Sequence, residues 1–225
     1  MLKLVLSLVS SDAQSAFMPG RLIIDKIIVG FKVLNSLKSK CNGQKGSMVV
    51  KLDMSNAYDS VDWCFLEKII QKLGFDAKWV ALIMECVSTP SFSVLLNGEP
   101  HRFVSPSRGI RQGDLLSSYL FLFCAEGFTT LLRQAEQDKK LSSVSICKRC
   151  PWDNTYFFVD DSPLFCQVKA EECTNLMETL TLYEETLGKN INREKTAIFF
   201  CKNTPKVKQT EIKEMWGAQV LTQYE

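Results

Sequence analysis

The sequence predicts an α+β fold, and three observations carry that prediction. Apolar residues recur at helical spacing in several separate segments, short apolar runs of strand length lie between them, and an Asn-Gly pair divides two of those runs. Taken in order these give helix, strand, helices, hairpin, helix, hairpin, helix and strand, an order that mixes the two element types without strict alternation.

Each element has a local reason. After a loop carrying Pro19 and Gly20, residues 25–40 place Ile27, Ile28, Phe31, Leu34 and Leu37 on one helical face, with Asp25 at the start and lysines at the end, where the helix dipole favours them. Residues 47–53 are a β-branched, apolar run that reads as a buried strand ending in the carboxylate of Asp53. Helices follow at 63–73 and 77–87, divided by Gly74. Strands at 92–96 and 101–104 flank Asn97-Gly98, the strongest short-range hairpin signal. A glycine-containing loop at 106–114 opens a helix over 116–136, strongly apolar in its first half, as a helix packed on a sheet would be. Apolar runs at 156–159 and 164–168 form a second hairpin with Asp160, Asp161, Ser162 and Pro163 between its arms, and a helix at 171–187 leads to a strand at 196–201. No repeat, low-complexity tract or linker interrupts the chain before about residue 202, so it reads as one continuous domain; 205–225 carry no assignment.

Of the 225 residues 46% are hydrophobic and 23% charged, which sets aside disorder, collagen and coiled coil. Lys plus Arg is 27 against 25 acids, so the whole molecule lacks a strongly basic footprint and any basic patch must be local. The 9 cysteines, scattered through apolar segments of a chain that needs no staples, suit a reducing compartment and read mostly as small buried hydrophobes. By this reading no run approaches the roughly 20 apolar residues of a membrane-spanning helix, so no integral membrane association is expected. The apolar stretch after Lys3 reads as part of an amphipathic helix, with a very short secretion signal as the alternative. If the apolar face of the helix from Leu116 were left uncovered, the protein would aggregate.

The acids carry the chemistry. Asp160 and Asp161 are adjacent like charges between apolar arms, and they repel unless a cation sits between them and a third ligand. Turn chemistry alone would also account for them, and Asp53 could be a helix N-cap. Together, acids at the end of one strand and on a hairpin of the same sheet can meet at one edge, and hard carboxylate oxygens are what Mg²⁺ prefers. Two such ions held by shared acids activate a hydroxyl and stabilise a leaving pyrophosphate, which is polymerase chemistry. The 109–114 loop exposes backbone N–H groups to a flat or anionic ligand, or is an ordinary turn before a helix. Cys147 and Cys150 have metal-like spacing without a second pair and read as unligated; His101 reads as a surface residue.

These residues resemble the reverse transcriptases of non-LTR, LINE-type retrotransposons by motif and order. QSAFMPGR (14–21) is similar to the family's fingers segment, KLDMSNAYDSV (51–61) to its first catalytic motif, and PSRGIRQGD (106–114) to its second. FVDD (158–161) is similar to the third, and NREKT (192–196) to the lysine-bearing segment after it. The resemblance covers about residues 1–204 and implies a right-hand polymerase palm, an antiparallel sheet backed by helices, at 47–204, with partial fingers at 1–46 and no thumb.

Carried over residue by residue, it implies Asp53, Asp160 and Asp161 as ligands of two Mg²⁺ ions, with Mn²⁺ as a substitute. It implies Tyr58 as the aromatic gate under the nucleotide sugar, Arg111, Gln112 and Gly113 around the nucleotide and template base, and Lys195 as proton donor to the departing pyrophosphate. The implied substrates are an RNA template, a DNA primer and deoxynucleoside triphosphates, in the nucleus or cytoplasm. Leu115 and Ser118 stand where the family has prolines, and Pro163 removes a backbone donor near the acid pair. A second reading is a catalytically silent fragment of such a palm, a relic or a reused binding protein; a working signal at 1–13 would extend it to a secreted effector.

Overall fold

The computed structural model describes residues 5–6, 9, 28, 31–32, 35, 46–54, 58–142, 161–187 and 191–220. Its centre is the strand β1 (Ser47–Asp53), whose residues 47–50 are all buried. Strand β1 pairs antiparallel with β4 (Asp161–Gln167) on one side and with β5 (Ala197–Phe200) on the other, and β6 (Gln219–Val220) adds parallel to β5. The sheet order is therefore β4-β1-β5-β6. The single parallel pair makes it a mixed sheet where the sequence implies a purely antiparallel one.

Strand period assigns the two faces. Met48, Val50 and Leu52 of β1, with Leu164, Cys166, Ile198 and Phe200 of its neighbours, belong to the main core cluster. Val49, Lys51 and Asp53 alternate with them and so lie on the opposite face, beside Phe165 and Phe199 in register with Val49.

Helix α1 (Trp63–Lys72) starts at Asp62, whose carboxylate accepts the Phe65 N–H at 2.9 Å, and α2 (Ala77–Ser88) starts at Asp76 in the same way. Helix α3 (Leu115–Gln137), capped by Asp114, is the core helix: Leu120, Phe121, Leu122, Phe123, Cys124 and Phe128 are all buried. Gly127 lets α1 approach it, since a Cβ there would stand 3.1 Å from the Phe65 ring. By length and composition α3 is apolar enough to cross a membrane, which corrects the reading that no such run exists; its interrupting Ser, Thr and Gly residues cost little hydropathy. Here that apolar surface is spent on the protein core, so the condition for aggregation through the face from Leu116 is not met, and Leu115, at 83% exposure, is the apolar residue of α3 that projects fully.

Helix α4 (Ala170–Leu187) packs Cys173, Leu176, Leu180 and Tyr183 into the same cluster. The segment left unassigned from sequence supplies helix α5 (Lys206–Trp216), whose Ile212 and Trp216 join that core, and Gly217 at φ 60° ends it before β6. Of the helix expected at 25–40, residues Ile28, Phe31, Lys32 and Asn35 are described; all are helical and exposed. At the other end of the chain Val5, Leu6 and Val9 are helical, and Leu6 is fully buried. Strands β2 (Phe92–Leu96) and β3 (Glu99–Val104) form a separate hairpin turned by Asn97 and Gly98, both at positive φ, and every residue in it is exposed, His101 included.

Candidate active site

Asp53 is the last residue of β1 and stands in register opposite Asp161, the first residue of β4. The hydrogen-bond parity of this ladder follows from its far end, where the Val168 N–H donates to the Gly46 carbonyl at 2.9 Å. Bonded pairs alternate along an antiparallel ladder, so 48/166, 50/164 and 52/162 are bonded, whereas 51/163 and 53/161 are not. Non-bonded pairs are the closer ones, about 4.5 Å between Cα atoms. The sequence places a turn at 160–163, but the structure runs Asp161, Ser162 and Pro163 inside β4. Pro163 faces Lys51 at a non-bonded position, so its missing N–H is not one that β1 needs. Asp160 and the expected arm at 156–159 lie outside the described residues, as do Cys147 and Cys150.

On the other side of Asp53 a turn closes against the strand end. Met54 bridges Ile191, and the Asn192 N–H donates to the Asp53 carbonyl at 2.9 Å. Asn192 Oδ1 accepts the Lys195 N–H at 3.1 Å, and the Asn192 carbonyl accepts both the N–H and the hydroxyl of Thr196 at 2.8 Å. Glu184 of α4 accepts the Ile191 N–H at 2.6 Å and sits 3.6 Å from Arg193. Lys195 is thus tied by its backbone, through Asn192, to the end of β1, and the residue is exposed.

The glycine-containing loop is fastened to the segment that follows β1. Tyr58 and Val61 offer their carbonyls to the N–H groups of Ile110 and Gly109, at 2.9 and 2.8 Å, and the Trp63 indole donates to the Gly109 carbonyl at 2.7 Å. Gly109 has φ +89°, and a Cβ there would lie 2.6 Å from the Asp59 carbonyl. Only glycine fits that approach. The half-buried ring of Tyr58 stacks on Phe121 of α3. Beyond the fastened part, Arg111, Gln112 and Gly113 are exposed, with Gly113 at φ +88° turning the chain into the Asp114 cap. A cleft of about 280 Å³ opens along this loop, lined among others by Asp59, Arg108, Arg111, Asp114 and Ser117.

The structure therefore brings Asp53 together with Asp161 by register and with the Lys195 turn by hydrogen bonds, and brings Tyr58 together with the loop bearing Gln112. Sequence reasoning missed Asn192, Trp63, Gly109 and Phe121 as supports of these groups; the one legible signal was an Asn three residues before a loop lysine, the spacing at which an N-cap side chain accepts a backbone N–H.

A family model described as reverse transcriptase (RNA-dependent DNA polymerase) matches residues 1–216. The chain belongs to the reverse transcriptase family. Among curated relatives, this reverse transcriptase is 29% identical over 133 residues to the transposon TX1 uncharacterized 149 kDa protein of Xenopus laevis, covering 59% of the chain and 10% of that protein. It is 26% identical over 149 residues to the retrovirus-related Pol polyprotein from type-1 retrotransposable element R2 of Popillia japonica, covering 66% of the chain and 23% of that protein. An uncharacterized mitochondrial protein of Arabidopsis thaliana is 41% identical over 68 residues, covering 30% of the chain and 56% of that protein. The chain thus spans between a tenth and just over half of these relatives' lengths. Its relatives mark it as a reverse transcriptase domain of the non-LTR retrotransposon type.

Among solved structures, telomerase from Candida albicans with a fragment of telomeric RNA superposes with TM-score 0.61 at 16% identity, over 88% of this chain and 33% of that one. Apo telomerase from Candida tropicalis superposes with TM-score 0.59 at 14% identity, over 80% and 36%. At such identities the likeness establishes the fold, the polymerase palm that the motifs imply. The family match ends at Trp216 rather than near 204, in agreement with the packing of α5 into the common core.

Proposed function

We propose that this reverse transcriptase domain extends a DNA primer on an RNA template with deoxynucleoside triphosphates, using two divalent ions held by Asp53, Asp160 and Asp161. The observation that carries the reading is the register of Asp53 against Asp161 at the end of the β1–β4 ladder. Acidic residues directly opposed across a ladder destabilise it unless a cation neutralises them, and their hard oxygens suit Mg²⁺ or Mn²⁺. The family uses divalent metals such as Mg²⁺, which agrees with that donor set. When bound, such ions lower the barrier for a primer hydroxyl attacking the nucleotide and stabilise charge on the triphosphate.

The protein's own groups do the rest. Tyr58 lies under the sugar and excludes a 2′-hydroxyl by ring bulk, Arg111 and the Gln112 amide hold the nucleotide at the loop, and Gly113 keeps backbone close to the template base. Lys195 donates a proton to the leaving pyrophosphate. The proposed site is nuclear or cytoplasmic; helical Val5, Leu6 and Val9, with Leu6 buried in the core, support an amphipathic helix over a cleaved signal, and fusing residues 1–30 to a reporter tests for export.

The deciding experiment is primer extension on an RNA template with Mg²⁺, run beside the Asp160→Ala, Asp161→Ala double variant. Extension by the wild type alone supports the polymerase. Equal extension by both overturns the assignment of the acids, and no extension by a folded wild type favours the silent-palm reading.

A further inference from the structure

We infer that Asn192 is a positioning residue that holds the Lys195 turn in a fixed relation to the catalytic strand. The inference rests on the polymerase reading of Asp53 and Lys195 and extends it to a residue for which that reading has no role. Two groups of one residue are committed to the turn and a third to β1. The Asn192 N–H donates to the carbonyl of Asp53 at 2.9 Å, its side-chain Oδ1 accepts the N–H of Lys195 at 3.1 Å, and its carbonyl accepts two donors from Thr196 at 2.8 Å. Asp53 and Lys195 are thereby linked through a single residue, by two consecutive hydrogen bonds.

The geometry has direction as well as connection. Thr196, only 1% exposed, pins the C-terminal end of the turn, and Glu184 of α4 pins its N-terminal end through the Ile191 N–H at 2.6 Å. Between those anchors Arg193, Glu194 and Lys195 are exposed. Beside the two Thr196 bonds that close the turn, the Asn192 side chain is the one that holds the Lys195 N–H itself, in the manner of an N-cap, and so sets the backbone from which the Lys195 side chain departs. Proton donation depends on placement to within about 1 Å, so a loosened turn costs turnover rather than nucleotide binding.

The test combines a double-variant cycle with a readout that does not need turnover. In primer extension, Asn192→Ala is expected to lower kcat about tenfold with KM for the nucleotide within about twofold, and Asn192→Asp, which keeps the acceptor, to recover most of the loss. In a Lys195→Ala background Asn192→Ala should cost nothing further, because the residue acts through the lysine. Independent losses that multiply, or a change in KM alone, would overturn the inference. Lys195→Ala as active as the wild type would instead remove the proton-donor role given to Lys195, and Asp53→Ala as active as the wild type the metal role given to Asp53, on which the inference rests. Amide hydrogen exchange at Lys195 reads the geometry in either case: Asn192→Ala should accelerate it about tenfold, and unchanged exchange would overturn the proposed hold.

Discussion

Tyr58 and Phe121 stack with ring centroids 4.8 Å apart and planes 19° from parallel. Phe121 comes from the buried first half of α3, and the carbonyl of Tyr58 is held by the Ile110 N–H, so the proposed gate has a rigid wall behind it and a fixed backbone. Phe121→Leu keeps an apolar filler and should cost about 1.5 kcal/mol of stability, while leaving the Tyr58 ring unsupported. If Tyr58 gates the sugar, the preference for deoxy- over ribonucleotides should fall several-fold in competitive extension. An unchanged preference would mean that the ring does not meet the sugar.

The join between Trp63 and Gly109 makes a prediction about the fold that needs no activity. Gly109→Ala puts a methyl 2.6 Å from the Asp59 carbonyl at a φ of +89°, and should cost about 3 kcal/mol. Trp63→Phe keeps a ring but leaves the Gly109 carbonyl without its indole donor, at about 1 kcal/mol. Urea unfolding of both variants checks the order, and an Ala variant no weaker than the Phe variant would contradict it.

Alkaline titration tests the core packing of α4. Burial, reinforced by Glu172, pushes the Cys173 thiol from 9.0 to about 11, and burial raises Cys166 well above its usual range as well. The folded state then keeps protons that the unfolded state gives up once pH passes about 9, so stability is full below that pH and falls between about 9 and 11. Cys173→Ala should flatten that slope. Among the described cysteines, Cys64 and Cys86 should react at once with a thiol reagent, whereas Cys124, Cys166, Cys173 and Cys201 should wait for unfolding. A slope indifferent to Cys173 would count against the assignment.

Much of this arrangement was legible in the sequence because it rests on local chemistry. The helices at 63–73, 77–87 and 116–136 form where apolar spacing puts them, with the unread caps Asp62, Asp76 and Asp114 at their starts, and Asn97-Gly98 turns the hairpin it predicts. The strand ending at Asp53 was legible for the same reason. Pro163 misled, since a proline after two acids reads as a turn, and only ladder parity reveals that it occupies a position where no N–H is wanted. Helix α5 had no reading because its face is narrow, with Ile212 and Trp216 the buried residues among lysines and glutamates. Trp63 acts on Gly109 and the Asn192 N–H on Asp53, partners far away in the chain for which no local pattern carries the information, whereas the Asn192 bond to Lys195 is local. The exposure of Cys64 and Cys86 likewise depends on which side of α1 and α2 meets the core.

The exposed apolar surface that invites self-association lies on the hairpin rather than on α3. Helix α3 is covered, whereas the β2–β3 hairpin shows Leu95 at 67% and Phe103 at 75% exposure, with Val94 and Leu96 near 60%. A two-stranded hairpin is marginal in water; among the described residues no further strand pairs with its edges, and apolar residues on such edges invite pairing between molecules. Leu95→Lys with Phe103→Lys should therefore suppress concentration-dependent light scattering and shift the melting temperature by no more than a degree or two, because neither side chain belongs to the core. Scattering that persists in this variant would place the self-association elsewhere, with Ile28 and Phe31 at 45% and 57% exposure the next pair to replace. A large fall in melting temperature would show instead that the hairpin is covered in solution by part of the same molecule.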